Sequence, residues 1–287
     1  MKNNKSLYVS DLDGTLLGTE GELSDFSLRT LEVLLKEGLP FTVASARSIV
    51  SIRQVLKGLP LTLPVIEFNG AFISNYQTGR HQIINRIESD IVENVIKTIS
   101  DHHHLPFVSA FDGEKDQLYY NEIKNEGMAF YLNDRKKNND PRLNRLKNFE
   151  AVISQDVVCL TVIGKSEELQ PIETIIQKHH GSKVETHFYE DIYCRGWHWL
   201  TIHDYRATKD QAIRLLQEQN GLQDKELVVF GDHINDIKMF KIANRRIAVG
   251  NAEPELKKHA NQIIGSNQDD SVVRFIEADW RRTRELD

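Results

Sequence analysis

Hydrophobic and polar positions alternate along this chain in two rhythms. Three short apolar runs, Leu7-Tyr8-Val9-Ser10, Phe41-Thr42-Val43-Ala44 and residues 64–68, are too short for helices and read as buried strands. Between them the apolar spacing changes to three and four. Leu28, Leu31, Leu34 and Leu35 make one stripe, with Ser24 as its cap and Gly38 and Pro40 as its stop. Ile49, Ile52, Val55 and Leu56 make a second, over about 48–57, closed by Gly58. Asn69-Gly70 signals a hairpin turn before Ala71-Phe72-Ile73. Strand, helix, strand, helix, strand is the order of a doubly wound sheet.

The middle of the chain has a different character. Ile91, Val92, Val95, Ile96 and Ile99 predict an amphipathic helix, and residues 167–180 a second. Short strands are expected at 106–110, 117–120, 157–163 and 183–188, and the polar stretch 133–141 reads as an exposed loop. Strands in runs with helices between them predict an α+β insert with an antiparallel sheet.

After the insert the first rhythm returns. Residues 199–203 read as a strand, and Thr208 as the cap of a helix bearing Ala212, Ile213, Leu215 and Leu216. Leu227-Val228-Val229-Phe230 is a buried strand running into Gly231-Asp232-His233-Ile234-Asn235-Asp236, and Ile237, Met239, Phe240 and Ile242 continue as a helix. Strand 246–249, helix 253–259, strand 262–264 and a closing helix from Asp269-Asp270-Ser271 to about Ala278 complete the pattern. The expected architecture is α/β: a Rossmann-like doubly wound core with a mainly parallel sheet, split around an inserted α+β cap domain. Core residues would be 1–85 and 193–287, with the insert at 86–192.

Length and composition narrow the function classes. The chain has 287 residues, 40% of them hydrophobic, enough for a real core. A net charge of −6 argues against a general nucleic-acid binder. Two cysteines, no signal-peptide-like start and no apolar run of membrane-spanning length fit a cytoplasmic protein with no membrane partner. Cys159, in an apolar strand, reads as core. His102-His103-His104 are consecutive, so one helical face cannot present all three to a metal, and they read as a solvated helix end. Trp197, His198 and Trp199 read as packing at a domain boundary, and Arg135-Lys136-Lys137 as a solvated loop.

The candidate chemistry lies where the apolar strands end. Asp11-Leu12-Asp13-Gly14-Thr15 follows the first strand, and Gly14 and the Thr15 hydroxyl suit a turn there. If the first strand pairs with 227–230, Asp11, Asp13, Asp232 and Asp236 converge at one sheet edge. Crowded carboxylates resist ionising unless a cation neutralises them, and oxygen ligands select a hard ion such as Mg²⁺. Ser45 ends the neighbouring strand, and Lys209 begins a helix, where an anion is already favoured.

This set resembles the haloacid dehalogenase superfamily of aspartyl-phosphate hydrolases, and most of all its Cof-type subfamily, whose substrate-covering cap is an α/β (C2-type) insert. Asp11-Leu12-Asp13-Gly14-Thr15 matches the first motif, Ser45 the second, Lys209 the third, and Gly231 to Asp236 with Met239 the fourth. Asn69-Gly70-Ala71 and Ala248-Val249-Gly250-Asn251-Ala252 look like subfamily landmarks.

The resemblance implies a phosphatase for a small phosphate ester, such as a sugar phosphate or a cofactor phosphate. Asp11 would be the nucleophile and Asp13 the acid and base, with a carboxyl raised by neighbouring carboxylates and burial. Mg²⁺ would be held by Asp11, the Asp13 carbonyl and Asp232, with Asp236 behind them. The Leu12 and Ala46 amides, Ser45, Lys209 and Asn235 would grip the phosphate. Two positions depart from the family, which usually has glycine at 46 and 210. Here Ala46 would be strained by a positive φ, and Asp210 adds negative charge. A phosphomutase and a non-catalytic phospho-ligand binder remain open on these residues.

Overall fold

Leu7, Tyr8 and Val9 are all fully buried, as a strand covered on both faces requires. They belong to β1 (Ser6–Ser10), in a computed structural model that describes residues 6–285. Then come α1 (Asp25–Lys36), β2 (Phe41–Val43), α2 (Ile49–Leu56), β3 (Val65–Glu67), β4 (Phe72–Ser74) and β5 (His81–Ile84). The Ser24 hydroxyl accepts from the Ser27 N–H, so the predicted cap of α1 forms.

The next stretch holds α3 (Ser89–Asp101), β6 (Phe107–Phe111), β7 (Asp116–Tyr120), α4 (Glu126–Lys137) and β8 (Leu143–Arg145). It continues with β9 (Asp156–Gly164), α5 (Ser166–His180), β10 (Val184–Glu190) and β11 (His198–Asp204). The chain then forms α6 (Lys209–Gln219), β12 (Glu226–Gly231), α7 (Ile237–Ile242), β13 (Arg245–Ala248), α8 (Pro254–Lys257), β14 (Gln262–Ile263) and α9 (Ser271–Glu285).

The chain forms two units, Met1–Ile83 with Thr208–Asp287, and Ile84–Ala207. The first holds a five-stranded parallel sheet in the order β14-β13-β12-β1-β2. An isolated bridge from Ala44 to Ile66 leads to the smaller β3-β4-β5 sheet. One apolar cluster runs through this unit, joining Leu31 and Leu34 of α1, Val228 to Phe230 of β12 and Val273 and Ile276 of α9. The expected α/β core with a mainly parallel sheet is therefore present.

The inserted unit is a six-stranded sheet, β10-β11-β9-β6-β7-β8. Its pairs are antiparallel except β7 with β8. Residues 199–203 were assigned by their rhythm to the returning core, and this is corrected. β11 pairs with β9 and β10, so the strand belongs to the insert and the chain crosses back after Ala207. Alternating apolar positions identify a strand without saying which sheet it joins.

The stretch expected as an exposed loop at 133–141 is corrected too. Residues up to Lys137 continue α4, capped by the Asn125 side chain on the Met128 N–H. Met128, Tyr131 and Leu132, spaced three and four apart, bury one face of that helix. Arg135 lies in its last turn, its guanidinium 3.4 Å over the Tyr131 ring. Among the described residues, no helix is long and apolar enough to cross a membrane.

Candidate active site

Parallel pairing of β1 with β12 sets Ser10 against Phe230, so Asp11 and Asp232 leave adjacent strands at the same edge. The Asp11 N–H donates to the Phe230 carbonyl at 3.0 Å. On the other side β2 is in register with β1, Ser10 against Val43, and carries Ser45 to the same edge. Asp11, Asp232 and Asp236 each bring one carboxylate oxygen within 4.8 Å of the others.

Lys209 enters this cluster from the start of α6. Its ammonium is fully buried and donates to Asp11 Oδ1 at 2.6 Å and to Asp236 Oδ1 at 2.7 Å. Asp236 Oδ2 accepts the backbone N–H groups of Asp232 and His233 at 3.0 and 3.2 Å. Asp236 is thus a fixed counter-charge that also shapes the loop carrying Asp232.

The electrostatics show a shortage of positive charge. Burial pushes the Asp11 carboxyl up to about 7; Lys209 pulls it down, while Asp236 and Asp13 add to the rise. Burial, then the charges of Asp11 and Asp236, push Asp232 up to about 8, against the Thr15 hydrogen bond and Lys209. Burial acts to lower Lys209, but the two carboxylates outweigh it and hold the ammonium above the usual lysine range. Three clustered carboxylates with one ammonium fit a hard divalent cation, in donor type and in charge.

The Thr15 hydroxyl, expected to brace its own turn, donates to Asp232 Oδ1 at 2.7 Å instead. Gly14 explains how Asp232 comes so close. It holds φ +74, and a Cβ there would stand 2.2 Å from Asp232 Oδ2. Gly14→Ala is expected to cost about 1–3 kcal/mol of stability and to weaken divalent-ion binding, read by denaturant titration and by ion-dependent melting.

Asp13 does not sit in the surroundings expected of it. It stands outside the three-carboxylate group and forms a two-point ion pair with Arg47, Nε to Oδ2 at 2.7 Å and Nη2 to Oδ1 at 2.6 Å. Arg47 is braced in turn by the Ser51 hydroxyl at 2.9 Å. The sequence offered Arg47 only as the neighbour of Ser45; its fork geometry needs the fold.

Ser45 is buried, and its Oγ accepts the Arg47 N–H at 3.1 Å. Leu12 is buried in the loop after β1, while Ala46 is exposed and is not among the residues with positive φ. The strain expected at Ala46 is therefore absent. The Asn235 amide donates to Asn69 Oδ1 at 3.2 Å.

Asp210 lies in the first turn of α6, with Oδ1 buried and lacking a hydrogen-bond partner among the described residues. Asp210→Ala is expected to raise stability by about 1 kcal/mol, since an unmet buried acceptor costs more than a helix-start charge returns. Urea unfolding reads this directly.

Other singled-out residues stay outside the site. Burial pushes the Cys159 thiol up to about 12, which leaves it inert core. His102 follows α3 and bonds the Thr98 carbonyl, and among the described residues no histidine joins a metal-type cluster. Trp199 packs with Phe107 and Tyr131.

A parallel α/β sheet with an α+β insert, and acids gathered where two central strands end, defines a hydrolase class. The model of the haloacid dehalogenase-like hydrolase family matches residues 8–276, and this chain belongs to that family. It is 25% identical over 294 residues to the 5-amino-6-(5-phospho-D-ribitylamino)uracil phosphatase YitU of Bacillus subtilis, covering 96% of this chain and 98% of that one. It is 26% identical over 279 residues to the pyridoxal phosphate phosphatase YbhA of Escherichia coli, covering 93% and 95%. The crystal structure of TM0651 from Thermotoga maritima superposes with a TM-score of 0.77 at 27% identity, covering 95% and 97%. Relatives named as phosphatases along the whole chain place it among the phosphoric monoester hydrolases of the family.

Proposed function

We propose that this chain hydrolyses a small phosphorylated metabolite, a sugar phosphate or a cofactor phosphate, in a Mg²⁺-dependent reaction through an aspartyl-phosphate on Asp11. The observation that carries this reading is the convergence of Asp11, Asp232, Asp236 and Lys209 where β1 and β12 end. The names of the YitU and YbhA relatives supply the substrate class. The unit formed by Met1–Ile83 and Thr208–Asp287 then carries the chemistry.

An Asp11 oxygen attacks phosphorus, and the bond to the leaving oxygen breaks as the new P–O bond forms. Asp13 gives that oxygen its proton, then takes one from the water that attacks the phosphoryl-aspartate. Inorganic phosphate leaves and the Asp11 carboxylate returns. The Asp13–Arg47 pair has to loosen for Asp13 to carry the first of these protons. Lys209 keeps one Asp11 oxygen fixed, so the other faces the phosphoryl group. Ser45, Asn235 and the Leu12 and Ala46 amides would hold the phosphoryl oxygens. Asp11, the Asp13 backbone carbonyl and Asp232, backed by Asp236, are the groups that would hold Mg²⁺, which would neutralise charge on the transferring group.

The test is phosphate release over a panel of sugar and cofactor phosphates with and without Mg²⁺. Release from none of them, nor from an activated aryl phosphate, would remove the proposal.

A further inference from the structure

We propose that Glu67 is a positioning residue for the loop 45–49, acting as the buried end of a clamp made by residues 66–69; this rests on the reading of Ser45 as a phosphate-gripping group. Four consecutive residues bond that loop. The Ile66 carbonyl accepts the Ser45 N–H at 3.0 Å, and Glu67 Oε2 accepts the Ile49 N–H. The Phe68 N–H donates to the Arg47 carbonyl at 3.1 Å, and the Asn69 N–H to the Ser45 carbonyl at 2.9 Å. Every second backbone position of the loop is therefore fixed from one short segment.

The segment pays for this in backbone strain. Phe68, Asn69 and Gly70 hold φ of 46°, 57° and 115°. Asparagine and glycine tolerate that region, but a bulky aromatic does not, and such a residue stays there only when its surroundings impose it. The same turn reaches the other two phosphate-side segments. A Cβ on Gly70 would stand 2.7 Å from the Thr208 carbonyl, one residue before Lys209, and Asn69 Oδ1 accepts from Asn235.

Glu67 is fully buried, where an apolar strand residue would pack without the cost of desolvating a charge. Both its oxygens are committed. Oε2 takes the first N–H of α2, and Oε1 accepts from the Ser74 hydroxyl, whose oxygen lies 2.7 Å from His81 Nδ1. His81 stacks on Phe72 with centroids 3.9 Å apart. The α2 start already has a cap of its own sequence in Ser48, so Glu67 is a second one reaching in from β3. A carboxylate in this place ties the phosphate loop to the β3–β4–β5 layer.

The experiment measures competitive inhibition by inorganic phosphate, with p-nitrophenyl phosphate as substrate and thermal melting alongside. Glu67→Ala is expected to weaken phosphate inhibition about tenfold, since a loop slack by a fraction of an ångström loses its grip. Glu67→Gln keeps an oxygen for the Ile49 N–H and should stay within about threefold of the parent. Ser74→Ala frees the carboxylate from β4 without emptying the site and should weaken inhibition about threefold, which covers the case in which Glu67→Ala does not fold. An unchanged inhibition constant in folded Glu67→Ala or in Ser74→Ala overturns the clamp, as does a Gln variant as impaired as the Ala variant. Ser45→Ala separates the two readings. If it leaves phosphate inhibition unchanged, the phosphate role of Ser45 fails; if it weakens inhibition while Glu67→Ala does not, only the clamp fails.

Discussion

Asp11→Asn is expected to lower turnover by about ten-thousandfold or more, close to 5 kcal/mol of barrier, because an amide oxygen is a poor nucleophile toward phosphorus. The change is nearly isosteric, and the Asn carbonyl can still accept from the Lys209 ammonium that now lies 2.6 Å from Asp11 Oδ1. Folding should survive. The metal-free variant should melt higher than the parent above about pH 8, because a buried carboxyl that resists ionising up to about 7 has been replaced by a neutral group. Loss of turnover with a raised melting point would identify Asp11 as a reacting group rather than a prop. Turnover within about tenfold of the parent would remove the covalent route.

The second large effect is a pH-dependent response to Mg²⁺. An unfolded aspartate loses its proton near pH 3.8, whereas Asp11 and Asp232 keep theirs to about 7 and about 8 in the folded, metal-free chain. Between those limits the folded state binds more protons than the unfolded one, so stability falls as pH rises through the window. A divalent cation that binds the ionised cluster offsets this loss and releases the protons. The melting point in EDTA should therefore drop by several degrees from about pH 5 to about pH 8. Added Mg²⁺ should raise it more at about pH 8 than at about pH 6, and activity lost to EDTA should return with the ion. A Mg²⁺ shift of equal size at both pH values would mean that the cation binds elsewhere.

Much of this was legible in the residues, for physical reasons that differ from element to element. Leu7-Tyr8-Val9 and Leu227 to Phe230 could be read as central strands because burial on both faces leaves no room for polar alternation. Once they were paired, the meeting of Asp11 with Asp232 followed. Residues 199–203 show where pattern stops: the strand was visible, but its partners were β9 and β10 of the insert. The helix at Glu126–Lys137 was hidden because its buried residues are only Gly127, Met128, Tyr131 and Leu132 before a polar last turn. β8 is a short, half-exposed edge strand, Leu143-Asn144-Arg145, with no alternation to find. Within the site, residue types pointed to the carboxylates and Lys209. The Arg47 fork on Asp13 and the Thr15 bond to Asp232 depend on directions that only folding sets.

The pairing of β1 with β12 has a consequence for biosynthesis. Ser6 lies opposite Glu226, so the strand made first, which can pair early with β2 on one side, waits for more than two hundred further residues to emerge from the ribosome before its neighbour on the other side exists. The sheet pairs of the inserted unit all lie within Ile84–Ala207, so that part can close while the opening strand has only β2 beside it and its other edge is still open. A nascent chain stalled before Glu226 would leave open the β12-facing edge of an apolar strand, a natural point for chaperone capture and for degradation of unfinished copies.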